Sequence, residues 1–409
     1  MQAAERPVLQ TNAAQITASL PRRMPELDGI RGIAILLVLY WHYCVGQLTP
    51  EFGTWTYYLC LAGGSAWSGV DLFFVLSGFL LGGILIDNRR APNLLRVFYV
   101  RRFCRIFPVY YVSIAVFSLA VISVKNLPQW MFGPSLPLWT YWLYVQNFWM
   151  WFQFSPGPGC MGMTWSLAIE EHFYLVLPWV LIYVRPKMLP WVLSLLILVA
   201  PVLRLIMVQS PQWMIASIMI LPCRWDSLFL GVLGAWLVRR EEFMRWAREH
   251  MGVLYGAFLA FLSGVVLLSA LHTLPGALGW RAFASLTCFA LFYLSLILVA
   301  VVPEKSLLKR LLSARWLRGT GTIAYGLYLF HQAVAGLCYF FLLGKDQPQI
   351  SNWKDALTTL LALCLTFLLA IVSFRYFELP ITRLGHQVAY SSPPPDRVEC
   401  VQSEVLRSE

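Results

Sequence analysis

Charge is what this 409-residue chain has least of. Asp, Glu, Lys and Arg together make up 12% of it, about half the share usual in a soluble domain. With 59% hydrophobic residues, 18 Trp and 26 Phe, the chain reads as a polytopic membrane protein rather than a soluble one. Paired cysteine motifs are missing too. The nine Cys (44, 60, 104, 160, 223, 288, 338, 364 and 400) form no CxxC pair, so neither a metal site nor a redox motif is indicated. Cys60 and Cys160 are the two placed to face an oxidising side and pair. Residues 1–27 have no apolar core ahead of a cleavage site, so they read as a short cytoplasmic tail and not as a secretory signal. Internal repeats are absent, and low complexity is confined to Ser391–Pro395. The net charge of +11 belongs to loops facing the cytoplasm, and no nucleic-acid partner is expected.

Apolar runs lie at about 29–47, 67–86, 107–124, 165–184, 189–208, 217–238, 252–271, 281–302, 321–342 and 356–378. Each is near the length needed to cross a bilayer as a helix. The segments between them alternate in charge. Basic ones are 1–28, 87–105, 185–188, 239–250, 303–319 and the C-terminal tail, whereas 46–66 has no Lys or Arg and 125–164 only Lys125. Positive loops face inward, which puts both termini in the cytoplasm. Counting the aromatic stretch 138–152 as a crossing would turn 185–188 outward, so it is expected to be re-entrant or interfacial. The expected fold is all-α, with about ten transmembrane helices. A cytoplasmic tail (1–27), a transmembrane domain (28–385) and a second cytoplasmic tail (386–409) make up the chain.

Ionisable residues inside apolar runs are costly, and they are functional candidates by default. Arg31 and His42 stand in one such run, DGIRGIAILLVLYWHY. Eleven residues are almost three helical turns, so both lie on one face, roughly 16 Å apart along the axis. A charge at the mouth and an imidazole deep inside, in line, indicate a path; the bland alternative is a snorkelling Arg and a hydrogen-bonded His. Glu170 and Glu171 enter the run TWSLAIEEHFYLVLP, followed by His172. A helix start accounts for one carboxylate there, not two. Glu170 and His42 are at similar depth, and a carboxylate orienting an imidazole makes a general base. Arg102 and Arg105, three apart in VRRFCRIFPVYY beside Arg101, share a face and suit a phosphate, although inward-facing charge alone accounts for them. Asp71 is expected to pair within the bundle, His331 to make a structural hydrogen bond, and Arg224 with Asp226, and Arg375 with Glu378, to neutralise one another.

Six stretches, PELDGIRGIAILLVLYWH, SGVDLFFVLSGFLLG, RRFCRIFP, TWSLAIEEHFYLVLP, AYGLYLFH and FRYFELP, occur in that order. Together they resemble the integral-membrane acyltransferase-3 family over about residues 25–385. The resemblance implies about ten spans and transfer of an acyl group, usually acetyl, from cytoplasmic acyl-CoA to hydroxyls of glycans or small natural products. It implies that His42 is the catalytic base in an Arg-X10-His motif with Arg31, and that Arg102 and Arg105 serve the acyl donor as an RxxR motif. It carries Trp165, Ser166, Leu167 and Glu170 as a Trp-Ser-Leu-x-x-Glu motif, with His172 where many members have Gln. It matches the stand-alone type, without a fused extracytoplasmic hydrolase-like domain.

The residues fit that chemistry. A basic mouth of Arg31, Arg102 and Arg105 suits the polyphosphate head of acyl-CoA. The thin pantetheine arm has about the reach separating Arg31 from His42. The acceptor would enter past the aromatic 138–165 loop. Acyl-CoA is then a co-substrate, with no permanently bound cofactor, and the site is built into a multi-pass membrane such as the bacterial inner membrane. Two rivals remain: a secondary transporter, which would show repeated halves, and a non-catalytic scaffold, which would not need Arg31 and His42 in register.

Overall fold

The computed structural model describes residues 24–124, 127–133, 136–207, 218–271 and 278–391, with side chains omitted at 270–271 and 278–284. The tails 1–23 and 392–409 lie outside the described residues. The fold is all-α; a single bridge, Leu48 to Ile350, is the extent of β pairing among the described residues.

Among the described residues, ten long helices carry the architecture: α1 (Pro25–Tyr40), α2 (Gly69–Asp87), α3 (Leu94–Ser123), α4 (Trp165–Tyr183), α5 (Leu189–Met207), α6 (Trp225–Leu237), α7 (Met251–Leu271), α8 (Leu278–Val301), α9 (Ala324–Leu343) and α10 (Trp353–Ser373). Among the described residues, seven helical stretches are long and apolar enough to cross a membrane. The stretch α6 is shorter, at 13 residues, because Pro222 holds the preceding turn in a 3-10 helix. In α4, Glu170, Glu171 and His172 dilute an otherwise apolar run.

Two expected boundaries move. The basic segment before 107 is not a loop: α3 starts at Leu94 and runs 30 residues, about 45 Å and longer than a bilayer core is thick. Arg is a good helix former, so its basic half continues the helix. Residues 388–391 pack back on that half: Arg101 donates to the Val388 carbonyl at 2.8 Å, and Ser391 N to Asn93 at 2.9 Å. At the other end, Pro25 opens α1 and Glu26 is already buried, paired with Lys309 at 3.1 Å. The aromatic stretch forms two short helices, Leu138–Trp142 and Gln146–Phe152, separated by Tyr144 at φ 56°. Neither is long enough to cross a bilayer. Cys60 and Cys160 are both free, and the Cys160 thiol donates to the Met131 carbonyl.

Glycine sets close approaches between helices. A Cβ on Gly78 of α2 would lie 1.8 Å from the Leu228 carbonyl oxygen of α6, and one on Gly231 would lie 2.1 Å from that of Val75. The backbones touch, as small residues allow in membrane helix pairs. Against α1, Gly321 of the short helix Arg315–Thr322 would meet the Asp28 carbonyl at 1.9 Å. The stretch expected as a linker is therefore a wall of the bundle.

Buried side chains form two main cores. One joins α2, α4, α6 and α8. The other joins the end of α1 with α3, α9, α10 and the aromatic segment. Val70, Phe73, Phe107, Trp165 and Tyr325 pack against both, and the polar groups singled out from the sequence gather along that seam.

Candidate active site

Two cavities open on the seam. The first, of about 320 Å³, is lined by Asp28, Arg31, Ser77, Arg102, Arg105, Ser166, Glu170, Glu171, Tyr174 and His386 among others. Arg31 reaches it from the first half of α1, held by Asp28 at 3.2 Å. Arg102 and Arg105 enter from the basic half of α3, whereas Arg101, one residue aside, turns away to the 388–390 segment and lies over the Tyr390 ring. The helix thus sorts three arginines that look equivalent in sequence.

The second cavity, of about 510 Å³, is lined by Val38, Trp41, His42, Trp67, Trp130, Trp165, Arg224 and Gln332 among others. Val70 and Tyr328 line both cavities. Arg31 and His42 therefore mark two chambers along one helix, with Tyr328 between them. Tyr328 is fixed by its hydroxyl, 2.6 Å from Ser166 Oγ and 2.9 Å from the Met163 carbonyl.

His42 sits in a π turn, Trp41–Val45, that ends α1. Gly46 N donates to the Trp41 carbonyl at 2.7 Å, while the His42 carbonyl accepts from Gln47 Nε2 at 3.0 Å. Such widened turns recur at functional sites. His42 Nδ1 is 2.7 Å from Gln332 Nε2, and its ring centroid is 4.9 Å from that of His331. His331 is fully buried, its Nδ1 bonded to the Tyr328 carbonyl at 2.7 Å. Tyr43 braces this corner from the far side, donating to the His331 carbonyl at 2.8 Å.

Glu170 is not beside His42. It belongs to the basic cavity, where Ser77 Oγ donates to one carboxylate oxygen at 2.9 Å and the Tyr174 hydroxyl to the other at 2.8 Å. The expected His42–Glu170 pair is corrected on this point. Similar depth put them on one level, but Glu170 faces the Arg31 side of Tyr328. Gln332 holds the position at His42. His172 lines neither cavity and stacks on Phe148, centroids 5.3 Å apart.

The ion pairs are crossed relative to the expected ones. Asp71 pairs with Arg224 at 2.7 Å, and Asp226 with Arg204 at 2.6 Å, all four nearly without solvent exposure. Asp226 points with its own helix toward α5, so its sequence neighbour Arg224 is free to cross to α2. Glu378 accepts from Ser373 at 2.9 Å, and Arg375 lies over Tyr376. The residues that sequence reasoning missed, Gln332, Tyr328, Tyr174 and Ser77, are neutral. For Tyr328 and Gln332 the one signal was the AYGLYLFHQ run, in which Tyr325, Tyr328, His331 and Gln332 recur on α9; Ser77 and Tyr174 carried none.

A family model for the acyltransferase domain of the acyltransferase-3 type matches residues 24–375. The chain belongs to that family. Acyltransferase-3 relatives include a peptidoglycan O-acetyltransferase, OatA, of Listeria monocytogenes, 29% identical over 88% of this chain and 56% of its own length. A putative peptidoglycan O-acetyltransferase, YrhL, of Bacillus subtilis is 29% identical over 89% of this chain and 56% of its own. An O-acetyltransferase, OatA, of Staphylococcus aureus is 27% identical, covering 89% and 58%. The chain spans a little over half the length of these relatives. No solved structure matches. Every residue lining the two cavities except His386 lies within the matched range.

Proposed function

We propose that the protein is a membrane O-acetyltransferase that moves an acetyl group from cytoplasmic acyl-CoA to a hydroxyl of a cell-envelope glycan. The observation that carries this reading is the pair of chambers meeting at Tyr328, one basic and one built around His42. A secondary transporter would need neither the arginine-lined mouth nor the imidazole in line with it.

In this reading Arg31, Arg102 and Arg105 hold the phosphates of the donor, because guanidinium groups bind phosphate through paired, charge-assisted hydrogen bonds. The pantetheine arm passes Tyr328, and the thioester reaches the His42 chamber. Trp67, Trp130 and Trp165 line that chamber, and flat rings of this kind pack well on sugar faces. His42 Nε2 takes the acceptor's hydroxyl proton as the oxygen attacks the thioester carbon, and returns it to the departing thiolate. For Nε2 to be the base, Nδ1 must carry the proton. The Gln332 amide supports this when its oxygen faces Nδ1, an orientation related by a half-turn to the one placed here. Glu170 and Glu171 act at the donor end, where half-buried carboxylates beside three guanidiniums keep the arginines apart and oriented. Glycan acceptors are supported by the names of the relatives alone.

The test is transfer of radiolabelled acetyl from acetyl-CoA to peptidoglycan fragments by purified, detergent-solubilised protein. Acceptor-dependent release of CoA with label in the glycan is expected. Movement of a solute across liposomes without consumption of acetyl-CoA would replace this reading with the transporter.

A further inference from the structure

The His42 chamber contains a cation that the proposed chemistry has not used. Arg224 lines it and is 1% exposed. Its Nη2 donates to Asp71 Oδ1 at 2.7 Å, an oxygen that also accepts from Ser227 at 3.3 Å. Its Nε and Nη1 are buried and have no hydrogen-bond partner among the described residues. The neighbouring Arg204 makes the contrast. It is equally buried, but Nη1 and Nη2 both donate to Asp226, and it also reaches the Cys223 carbonyl and Thr287. Arg204 lines neither of the two chambers. Arg204 leaves only Nε without a partner among the described residues and both its terminal nitrogens are occupied, whereas Arg224 leaves Nε and Nη1 and lines the chamber. A buried donor left without an acceptor is costly, which marks a place where an oxygen belongs.

The guanidinium is also held still. Its carbon lies 5.4 Å from the centroid of Phe74 and 5.9 Å from that of Trp165, both at distances where a cation is attracted to a ring. Asp71 fixes it from a third side. A donor fixed before the reaction starts is the arrangement that best stabilises charge appearing on an oxygen.

Resting on the acyltransferase reading, we propose that Arg224 is a catalytic residue that binds the thioester carbonyl oxygen as it becomes an oxyanion. The acceptor oxygen forms its bond to the carbonyl carbon while His42 takes the hydroxyl proton. The carbonyl electron pair moves onto the oxygen and is stabilised by the free N–H groups of Arg224. Collapse restores the carbonyl, breaks the carbon–sulfur bond and sends the thiolate out with the proton from His42. Asp71 is a positioning residue in this scheme.

The test compares Arg224→Met, Arg224→Lys and Asp71→Asn in full-length protein, with folding checked by size exclusion and thermal melting. Removing one oxyanion donor costs about 10²–10³-fold in kcat in other enzymes. Arg224→Met should lose that much while its KM for acetyl-CoA moves by less than about threefold, since the donor's phosphates sit in the other chamber. Asp71→Asn, which keeps the guanidinium, should lose less. If Arg224→Met does not fold, Arg224→Lys should fold and still lose at least about tenfold in kcat, a point charge being a poor substitute for the planar fork. A folded Arg224→Met or Arg224→Lys with wild-type kcat overturns the proposal. So does recovery of wild-type kcat in Arg224→Met combined with Asp71→Asn, because the pair would then be structural only. Wild-type protein that consumes no acetyl-CoA would instead bring down the acyltransferase reading, and this inference with it.

Discussion

The two chambers on the seam differ in kind. The one around Arg31 is lined by three arginines, two glutamates, an aspartate and a histidine. The one around His42 has a single guanidinium, and the rest of its lining is neutral, with Trp41, Trp67, Trp130, Trp165 and Gln332 among aliphatic residues and glycines. Charged walls suit holding a polyanion that arrives from water. Neutral walls keep water away from a thioester and make the few polar groups present act more strongly. In the proposed reaction Tyr328, which lines both, is where binding hands over to chemistry. If this division of labour is right, substitutions on one side should alter KM for the donor, and on the other kcat.

The largest effect is expected at the neutral side. His42→Ala should lower acyl transfer by about 10³-fold or more, in the range that general bases contribute, while acetyl-CoA binding measured by calorimetry stays near wild type. Normal turnover in the folded variant would remove His42 from the mechanism, and lost binding would merge the two chambers into one site. Next in size is the charged side. Arg102→Ala with Arg105→Ala should raise KM for acetyl-CoA by about 100-fold or more, since hydrogen bonds to charged groups are worth about 1.5–3 kcal/mol each and two are removed. The acceptor's KM should move little. A protein that fails to insert, or inserts inverted, would show that the charge serves topology.

Gln332 sharpens the comparison from within the neutral chamber. Gln332→Leu keeps the bulk but leaves Nδ1 of His42 without its 2.7 Å partner. The imidazole then loses about 1 kcal/mol of orientation, and kcat should fall about fivefold to tenfold with KM for acetyl-CoA unchanged. An unchanged kcat would mean that the ring is held by packing against His331 alone.

How much of this was legible in the sequence depends on charge. Arg31, His42, Arg102 and Arg105 stand out because an ionisable group in an apolar run is rare, and helical spacing put them on faces that do converge on the seam. Glu170 stood out equally, but its partner did not follow from depth. Depth along a helix fixes height, while the side of Tyr328 on which a carboxylate lies depends on how α4 is rotated against α2, and Ser77 and Tyr174 settle that. Gln332 and Tyr328 were hidden because neutral polar residues are common in helices. The exchange between the Asp71–Arg224 and Asp226–Arg204 pairs was hidden because it follows from the glycine contact of Gly78 with Gly231, which brings α2 to α6 and cannot be seen from either helix alone. The helical start of α3 at Leu94 was masked by the same arginines that revealed the site, which read as a loop.

The two glutamates should give smaller changes than their density of charge suggests. Glu170→Gln keeps the size and one acceptor oxygen for Ser77 or Tyr174, the other hydroxyl having to turn and accept from the amide N–H, and removes the charge next to the arginines. KM for acetyl-CoA should shift by a few-fold, with kcat nearly constant. A loss of orders of magnitude in kcat would return Glu170 to His42 and reject the separation of the chambers.

The smallest effect on transfer is expected at the boundary itself, and it is the most informative. Tyr328→Phe removes a hydroxyl that contacts Ser166 Oγ at 2.6 Å and the Met163 carbonyl at 2.9 Å. The ring stays, so the wall between the chambers stays. Loss of one such hydrogen bond costs about 1 kcal/mol of stability, and the transfer rate should change by less than about threefold, a matter of about 0.7 kcal/mol in the barrier. Tyr328→Ala removes the wall. Water held on the charged side then has a way to His42, and the base that activates an acceptor hydroxyl will activate water just as well. The expected signature is release of CoA without acceptor, measured with a thiol reagent, rising severalfold while transfer to glycan falls. Two outcomes would defeat the comparison of chambers. If Tyr328→Ala leaves the ratio of transfer to hydrolysis unchanged, the boundary separates nothing that matters to the reaction. If Tyr328→Phe alone raises hydrolysis as much as Tyr328→Ala does, the hydroxyl and not the ring is the barrier, and the chambers are divided by a hydrogen bond that can open.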